Sequence, residues 1–253
     1  MLFNIAMKNL FGAKLRTSLN VFVTSVSFFL VIFVSGMYDG MREHAKNITI
    51  ETEIAGGTYW HPKYDPMDPR TFEYSHSVMP PKIKRLIDQK YAFGVLVSQA
   101  SIYPNGRIMP AIMKGITPGQ TIVNIPTDVL EQDDDITIPV LIGSEMAKNS
   151  NLKIGDSFTI RWLDADRTYD ADEGTIVHIM ETENFKLDQG HIWIPLSKAQ
   201  SMLAMENQAT YVTYAKGLDV IQDTGDWIHH DVDYMIRDMD CLLYTSDAAD
   251  DTR

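Results

Sequence analysis

An uncharged stretch of 22 residues, from Thr17 to Tyr38, constrains this chain more than any other feature. At about 1.5 Å of rise per residue, a helix of that length spans roughly 33 Å, against a bilayer hydrocarbon core of about 30 Å. Leu, Val, Ile and Phe side chains between Leu19 and Val34 favour membrane insertion by roughly 5 kcal/mol, before the cost of the interspersed polar residues. The pattern predicts a transmembrane helix over residues 19–38.

Two other interpretations fit this stretch less well. A cleaved signal peptide has a short basic start, an apolar region of about 7–15 residues and an Ala-x-Ala-like cleavage site. Here the apolar run is longer, 16 residues precede it, and Ser35-Gly36-Met37 is a poor cleavage site. A buried core helix is seldom this long without a charge. We therefore expect a retained membrane anchor.

The charges on either side of the anchor predict its orientation. The N-terminal side carries Lys8, Lys14 and Arg16 and no acidic residue, whereas Asp39–Asp240 carries 31 acidic and 18 basic residues. The positive-inside rule places the N-terminus in the cytoplasm and residues 39–240 outside it. In a bacterium this means the cell (inner) membrane, with the main domain in the periplasm, or in the extracytoplasmic space if the cell has no outer membrane. Because an acidic domain repels phosphate, nucleic acid is not an expected partner. Membrane lipid is an expected partner because of the predicted anchor.

Residues 1–18 are expected to form a cytoplasmic amphipathic segment, or else a plain basic flank. Apolar residues recur there at helical spacing, away from the lysines: Phe3, Met7, Leu10 and Phe11. Within the predicted span, four small or polar residues fall on one helical face: Asn20, Thr24, Ser27 and Ser35. Such a face usually contacts other membrane helices, although scattered residues tolerated by lipid would give the same sequence.

Residues 39–240 predict an α+β fold of mixed α/β composition, in one or two lobes. The helix is expected to continue over Asp39–Glu53, followed by a Pro- and aromatic-rich loop with short strands over Gly56–Pro81. Asn105-Gly106 between two apolar runs predicts a tight hairpin of Phe93–Tyr103 and Ile108–Ile116. Further strands are predicted at Pro139–Gly143, Ser157–Leu163, Gly174–Met180, His191–Pro195 and Ala209–Tyr214. Helices are predicted at Pro81–Lys90, Glu145–Asn149 (capped by Ser144 and ended by Asn151), Leu196–Ala204 and Leu218–His230, and acidic turns at Gln132–Asp135 and at a hairpin tip of Asp170, Asp172 and Glu173.

The sequence contains no pattern that indicates catalysis, a cofactor or a metal. It lacks the phosphate-binding Gly-x-x-x-x-Gly-Lys-Ser/Thr loop and the Gly-x-Ser-x-Gly elbow of serine hydrolases. A calcium-like stretch at Asp164 places Tyr169 where such a loop needs glycine. His229-His230-Asp231 with Asp233 could bind a metal, but a solvated face is the preferred interpretation.

The single cysteine, Cys241, excludes a disulfide framework. It opens the segment 241–253, which resembles the translation of a transposon-type sequencing adapter; an ordinary acidic tail is the less favoured alternative. We expect the natural protein to continue past Asp240 with a different sequence.

Three stretches resemble the permease subunits of FtsX/MacB/LolC-type ABC transporters. The first is Ala6–Leu19 followed by Val34–Met37, similar to the start of that family. The second, Leu141–Ala147 with Leu152–Asp156, resembles the "G-x-x-x-A…L-x-x-G-D" segment of the MacB-like periplasmic domain. The third, Ile192–Gln200, resembles the "hydrophobic-Pro-Leu-x-x-Ala-Gln" step of the family. The combination is closer to the lipoprotein-releasing LolC/LolE branch.

The resemblance implies a four-span permease with a MacB-like periplasmic domain between its first two spans. It also implies pairing with a second permease, as a homodimer or heterodimer, and with cytoplasmic ABC ATPase subunits. ATP hydrolysis there would drive mechanical work of the outer domain, in lipoprotein release or substrate export. The chain lacks the later spans, so a fragment is expected. A single-span anchored binding protein without transport activity is the alternative, and a membrane-anchored enzyme is less favoured.

Overall fold

A computed structural model of the chain describes residues 14–131 and 137–237. The predicted amphipathic segment, the acidic turn and the adapter-like tail lie largely or wholly outside these ranges. The first element, α1 (Lys14–Thr49), is a helix of 36 residues. The most apolar 18 consecutive residues of this helix have a mean hydropathy of 2.1, and none of them is buried. The helix therefore has the length and composition of a membrane span.

The chain divides into two compact units, the first ending at Asn47 and the second beginning at Ile48. Within the second unit, α1 gives way to a π-helical turn at Ile50–Ile54, closed by the bond from the Ala55 amide to the Ile50 carbonyl oxygen (2.7 Å). The helical continuation predicted for Asp39–Glu53 is confirmed.

Within the described residues, the second unit contains eleven strands and five further α-helical segments. The strands are β1 (Gly57–Trp60), β2 (Ser77–Val78), β3 (Ala92–Tyr103), β4 (Met109–Ile116), β5 (Ile138–Gly143), β6 (Ser157–Leu163), β7 (Tyr169–Met180), β8 (His191–Pro195), β9 (Gln208–Ala209), β10 (Tyr211–Tyr214) and β11 (Ile228–His230). The helices are α2 (Pro81–Asp88), α3 (Ser144–Ser150), α4 (Phe185–Gly190) and α5 (Leu196–Met202). Residues 232–237 are also helical. The mixed α/β composition predicted from the sequence is confirmed.

Nine strands form one sheet in the order β11-β1-β10-β3-β4-β8-β5-β7-β6, and β6 also pairs with β3. This last pairing closes β3, β4, β8, β5, β7 and β6 into a ring. The pairs β4–β8 and β5–β7 are parallel, and the others in the sheet are antiparallel. The long β3 can serve two partners because its first residues pair with β10 and its last with β6.

Alternating side chains give the ring two apolar faces, because successive residues of a strand point to opposite sides. One set forms the largest core and includes Leu96, Met113, Val140, Ile160 and Ile192, all fully buried. The opposite set, including Val95, Val97, Leu141 and Trp193, packs with Phe72, Val123 and Leu130 from the loops. A third cluster fixes α2 against the sheet through Ile83, as its predicted apolar face requires.

The hairpin between β3 and β4 turns as the sequence predicts. Asn105 and Gly106 have φ of 51° and 77°, and the Arg107 amide donates to the Pro104 carbonyl oxygen at 3.0 Å. The two strands are part of the large sheet and do not stand alone as a ribbon.

The helix α3 is capped by a distant residue, which corrects the predicted role of Ser144. The Ser144 hydroxyl does not cap the helix; the Asp188 carboxylate accepts a hydrogen bond from the Glu145 amide at 3.2 Å. Ser144 donates instead to the other Asp188 oxygen at 3.3 Å. The predicted end of the helix is confirmed, since Asn151 adopts the left-handed conformation at φ 53°.

Two further predictions about the second unit are wrong. Asp170, Asp172 and Glu173 do not form a hairpin tip but belong to β7, where Asp172 faces Ile160 of β6. Leu218–His230 is not a helix; it is irregular and ends in β11, with Asp223 and Gly225 at positive φ. The predicted strand over Ala209–Tyr214 is divided, because β9 pairs with β2 and β10 pairs with β1 and β3.

Candidate functional site

The site residues predicted from the sequence all lie on or before α1. Asn20, Thr24, Ser27 and Ser35 are exposed, and at 100° per residue they fall within an arc of about 80°. The Ser27 hydroxyl donates to the Val23 carbonyl oxygen at 2.9 Å, so the helix satisfies it internally. Their role as a packing face remains a prediction.

The predicted basic flank is described only in part. Arg16 is exposed, the backbone of Lys14 is helical, and Lys8 lies outside the described residues. The structure therefore does not test the orientation that these residues predict.

A cavity of about 560 Å³ in the second unit is the candidate site within the described residues. It lies against β1, β3, β4 and β10, on the ring face that carries Val97 and Ile112. Its lining is mostly apolar and aromatic and includes Ile54, Trp60, Tyr64, Met67, Phe72, Val97, Ile112 and Tyr211. This volume and composition are typical of a binding site for a small molecule.

Tyr64 organises the aromatic wall of the cavity. Its ring meets Trp60 edge-on with centroids 5.1 Å apart, stacks on Tyr211 at 5.5 Å, and contacts Phe72 at 5.8 Å. Burial raises the pKa of both Tyr64 and Tyr211 well above the ordinary 10.0, so both hydroxyls stay protonated at neutral pH. The wall is therefore uncharged.

A short loop positions Tyr64. The Tyr64 amide donates to the His61 carbonyl oxygen at 2.8 Å, and the Met67 amide donates to an Asp65 carboxylate oxygen at 2.8 Å. Thr71 closes the loop by donating to the Asp68 carbonyl oxygen at 2.8 Å. The Pro- and aromatic-rich composition of this segment predicted a loop, and the structure makes it one side of the cavity.

One buried charge faces this apolar surface. Lys114 occupies an alternate position of β4 with Ile112 and Ile116, and its Nζ lies 3.1 Å from Glu53 Oε1. Its side chain is 9% exposed, against 30% for Glu53. Lysine is rarely buried this completely unless it is paired. The signal in the sequence was a single lysine within the apolar run Ile108–Ile116, which sequence reasoning did not use.

The histidines considered as metal ligands take part in an aromatic cluster beside this region. His229 Nε2 and the Tyr214 hydroxyl share a hydrogen bond of 2.8 Å, and the His230 ring lies 4.3 Å from that of Trp60. Burial and the neighbouring Tyr59 and Asp231 raise the pKa of Tyr214 to about 12. Within residues 14–131 and 137–237, no three His, Cys, Asp or Glu side chains are grouped to hold a metal ion.

The motif stretches that resemble the permease family serve the fold near this site. A Cβ on Gly143 would overlap Asp188, and one on Gly115 would overlap Ala199, so both glycines permit close packing. Gln200 donates to the Gln208 carbonyl oxygen at 2.8 Å and ties α5 to the following loop. These residues build the domain and do not line the cavity.

No family model and no curated protein matches this sequence. Among solved structures, the chain is similar to the periplasmic region of MacB from Actinobacillus actinomycetemcomitans, with 12% identity over 76% of this chain and 95% of that one and a TM-score of 0.48. It is also similar to the extracellular domain of the noncanonic ABC-type transporter YknZ from Gram-positive bacteria (9% identity, 64% and 83% of the two chains, TM-score 0.37). A third similar structure is a domain assigned to a permease protein from Porphyromonas gingivalis (14%, 56% and 63%, TM-score 0.35). Similarity at this level specifies neither the substrate nor the partners of this chain.

Proposed function

We propose that this chain is part of a permease subunit of an ABC transporter, in which a partner ATPase in the cytoplasm drives mechanical work of an extracytoplasmic domain. The observation that carries the proposal is the order of its parts. An uncharged span with a basic flank comes first, and a sheet domain follows with the motifs Leu141–Asp156 and Ile192–Gln200 in the family's order. One residue of each motif has a packing role: Gly143 leaves room for Asp188, and Ala199 fits against Gly115.

The length of α1 suits a mechanical role. It is hydrogen-bonded without interruption over 36 residues, so a displacement at one end passes along the helix. The face of Asn20, Thr24, Ser27 and Ser35 would contact further spans, either of this subunit or of a second permease subunit. More specifically, we propose that the transporter releases lipoproteins or exports another substrate.

Reading the gene beyond codon 240 tests the proposal. Three further apolar runs of about 20 residues, with a cytoplasmic coupling segment between them, are expected. A stop codon soon after Asp240 would contradict it and would favour a single-span binding protein. The 560 Å³ cavity is the observation that favours this second candidate.

Orientation is tested with a reporter fused after Asp240. Alkaline phosphatase, which is active only outside the cytoplasm, should be active there, and a fluorescent protein that matures only in the cytoplasm should stay dark. Reversing the flank with Lys14→Glu and Arg16→Glu should lower the phosphatase signal, whereas Lys82→Glu in α2 should not. Cytoplasmic activity in the unmodified chain would overturn the orientation.

A further inference from the structure

We propose that the 560 Å³ cavity binds a small anionic amphiphile, whose apolar body lies on the aromatic wall and whose carboxylate or phosphate oxygen meets Lys114. This assigns a ligand site in the second unit and holds whether or not the chain is a permease. The cavity falls within the roughly 300–1,000 Å³ usual for small-molecule sites, which combine an apolar lining with few polar groups.

The first argument is the hydrogen-bonding capacity of Lys114. An ammonium group has three N–H donors. Within the described residues, its hydrogen-bond acceptor is Glu53 Oε1 at 3.1 Å. Nine-tenths of the side chain is buried and Lys114 belongs to the cavity lining, so its N–H donors have little access to bulk water. A buried donor without an acceptor is costly, and a ligand oxygen would satisfy it.

A purely structural ion pair explains these residues less well. Removing two charges from water costs several kcal/mol each, and an apolar pair of similar volume often stabilises a core equally well. The neighbours of Lys114 on the same face of β4, Ile112 and Ile116, are apolar. A lysine at this position interrupts an otherwise continuous apolar face and does not improve the stability of the core. This is expected of a residue whose role is to bind a ligand.

The charge of the ligand follows from the donors that Lys114 has left. Lys114 and Glu53 both belong to the lining and neutralise each other, and the ammonium has N–H donors beyond the one that Glu53 accepts. An anionic ligand oxygen would form a charge-assisted hydrogen bond with these donors, whereas a cationic group offers them no acceptor. Asn184 and Gln189 lie on the same lining and offer neutral amide donors.

The cavity is also reachable. Met67, on the loop of residues 61–72, is 49% exposed and belongs to the lining. The lining therefore reaches the protein surface at Met67.

Tryptophan quenching tests the proposal, because Trp60 belongs to the lining. The full chain is placed in nanodiscs of zwitterionic lipid and titrated with 12-bromododecanoate, whose bromine quenches nearby indole emission. We expect saturable quenching that unbrominated dodecanoate reverses and that Trp60→Phe largely abolishes. Quenching that rises linearly with the probe, as it does in a disc without a binding site, would overturn the proposal.

The role of Lys114 is tested with the paired variant Glu53→Gln/Lys114→Met, which leaves no uncompensated charge. Affinity should fall about tenfold or more, the loss of one hydrogen bond to a charged group. Lys84→Met on the exposed face of α2 is the matched control and should bind as the unmodified chain does. If the paired variant has lost its near-ultraviolet circular dichroism, Ile112→Phe, which narrows the cavity, takes its place and should also weaken binding.

Two more arms complete the test. Bromododecanol, which lacks the charge, should bind at least tenfold more weakly, and equal binding would overturn the role assigned to Lys114. Adding phosphatidylglycerol to the disc distinguishes the two sources of the ligand. Displacement of the probe would support a bilayer lipid as the occupant, and undiminished binding would support a free carboxylate.

Discussion

Single residues decide how closely the elements of the second unit approach one another. Gly143 leaves room for Asp188 where β5 meets α4, and Gly115 leaves room for Ala199 where β4 meets α5. In both cases an atom of another element occupies the space that a Cβ would fill. Glycine is therefore required at these positions by the packing of neighbouring elements and not by the backbone conformation of the glycine itself.

Gly143→Ala should destabilise the second unit by about 1–3 kcal/mol, the usual cost of overpacking a filled site. The added methyl would meet the backbone of Asp188 as well as its side chain, so no simple rotation relieves it. Urea unfolding followed by circular dichroism measures the change. Gly190→Ala is the matched control, because no atom lies within 4 Å of its Cβ position. An equal effect of the two substitutions would contradict the packing argument.

Because of His229, the free energy of unfolding should fall as the pH becomes mildly acidic. Burial lowers its pKa below the ordinary 6.5, and the nearby Asp231 opposes this shift only in part; His61 is shifted in the same direction, mainly by burial. A histidine with a lower pKa in the folded state binds fewer protons there than in the unfolded state. Its contribution to stability is therefore full above pH 6.5 and is lost as the pH falls below that value.

The measurement is the free energy of unfolding in urea at pH 7.5 and 5.5. It should fall at the lower pH, and the fall should be smaller in His229→Gln. The His229 ring faces Tyr59, Tyr214 and Asp231, and glutamine retains a donor for the Tyr214 hydroxyl. The same pH dependence in both proteins would exclude His229 as the source.

At the scale of elements, α3 depends on a cap from α4. Asp188→Ala should cost about 1–2 kcal/mol, because it removes the acceptor of the Glu145 amide at the start of the helix. Ser144→Ala, at the position where the sequence predicted the cap, should cost less than about 0.5 kcal/mol. Thermal unfolding of the two variants separates these roles. If Ser144→Ala lost more stability than Asp188→Ala, Ser144 and not Asp188 would be the cap of α3.

Elements with local signals were predictable, and elements defined by distant partners were not. Asn105-Gly106 fixes its turn through positive φ angles that those residues tolerate at low cost, and Ile83 marks the buried side of α2. The segment Leu218–His230 has a helix-compatible composition, yet it ends in β11 because β1 offers an unpaired edge. The cavity escaped prediction for the same reason, since Lys114, Glu53 and Tyr64 are distant in the chain.

At the scale of the whole molecule, the two compact units should separate. A chain that begins at Ile48 should remain in solution without detergent and unfold in one transition, because the three apolar clusters all lie within the second unit. Near-ultraviolet circular dichroism and tryptophan emission should report the same midpoint in urea. Divergent midpoints, or aggregation of the shortened chain, would contradict the division at Ile48.

The sequence by itself determined the apolar helix, the segregation of charge, the hairpin and the alternation of helices and strands. Each of these depends on neighbours along the chain: an uncharged run, a turn dipeptide or a periodic apolar face. The tertiary structure alone decided the closure of the ring by β3 and β6, the cap on α3 from Asp188, and the meeting of Lys114 with Glu53. These features join residues far apart in sequence, and local propensity carries no information about which distant partner a residue will meet.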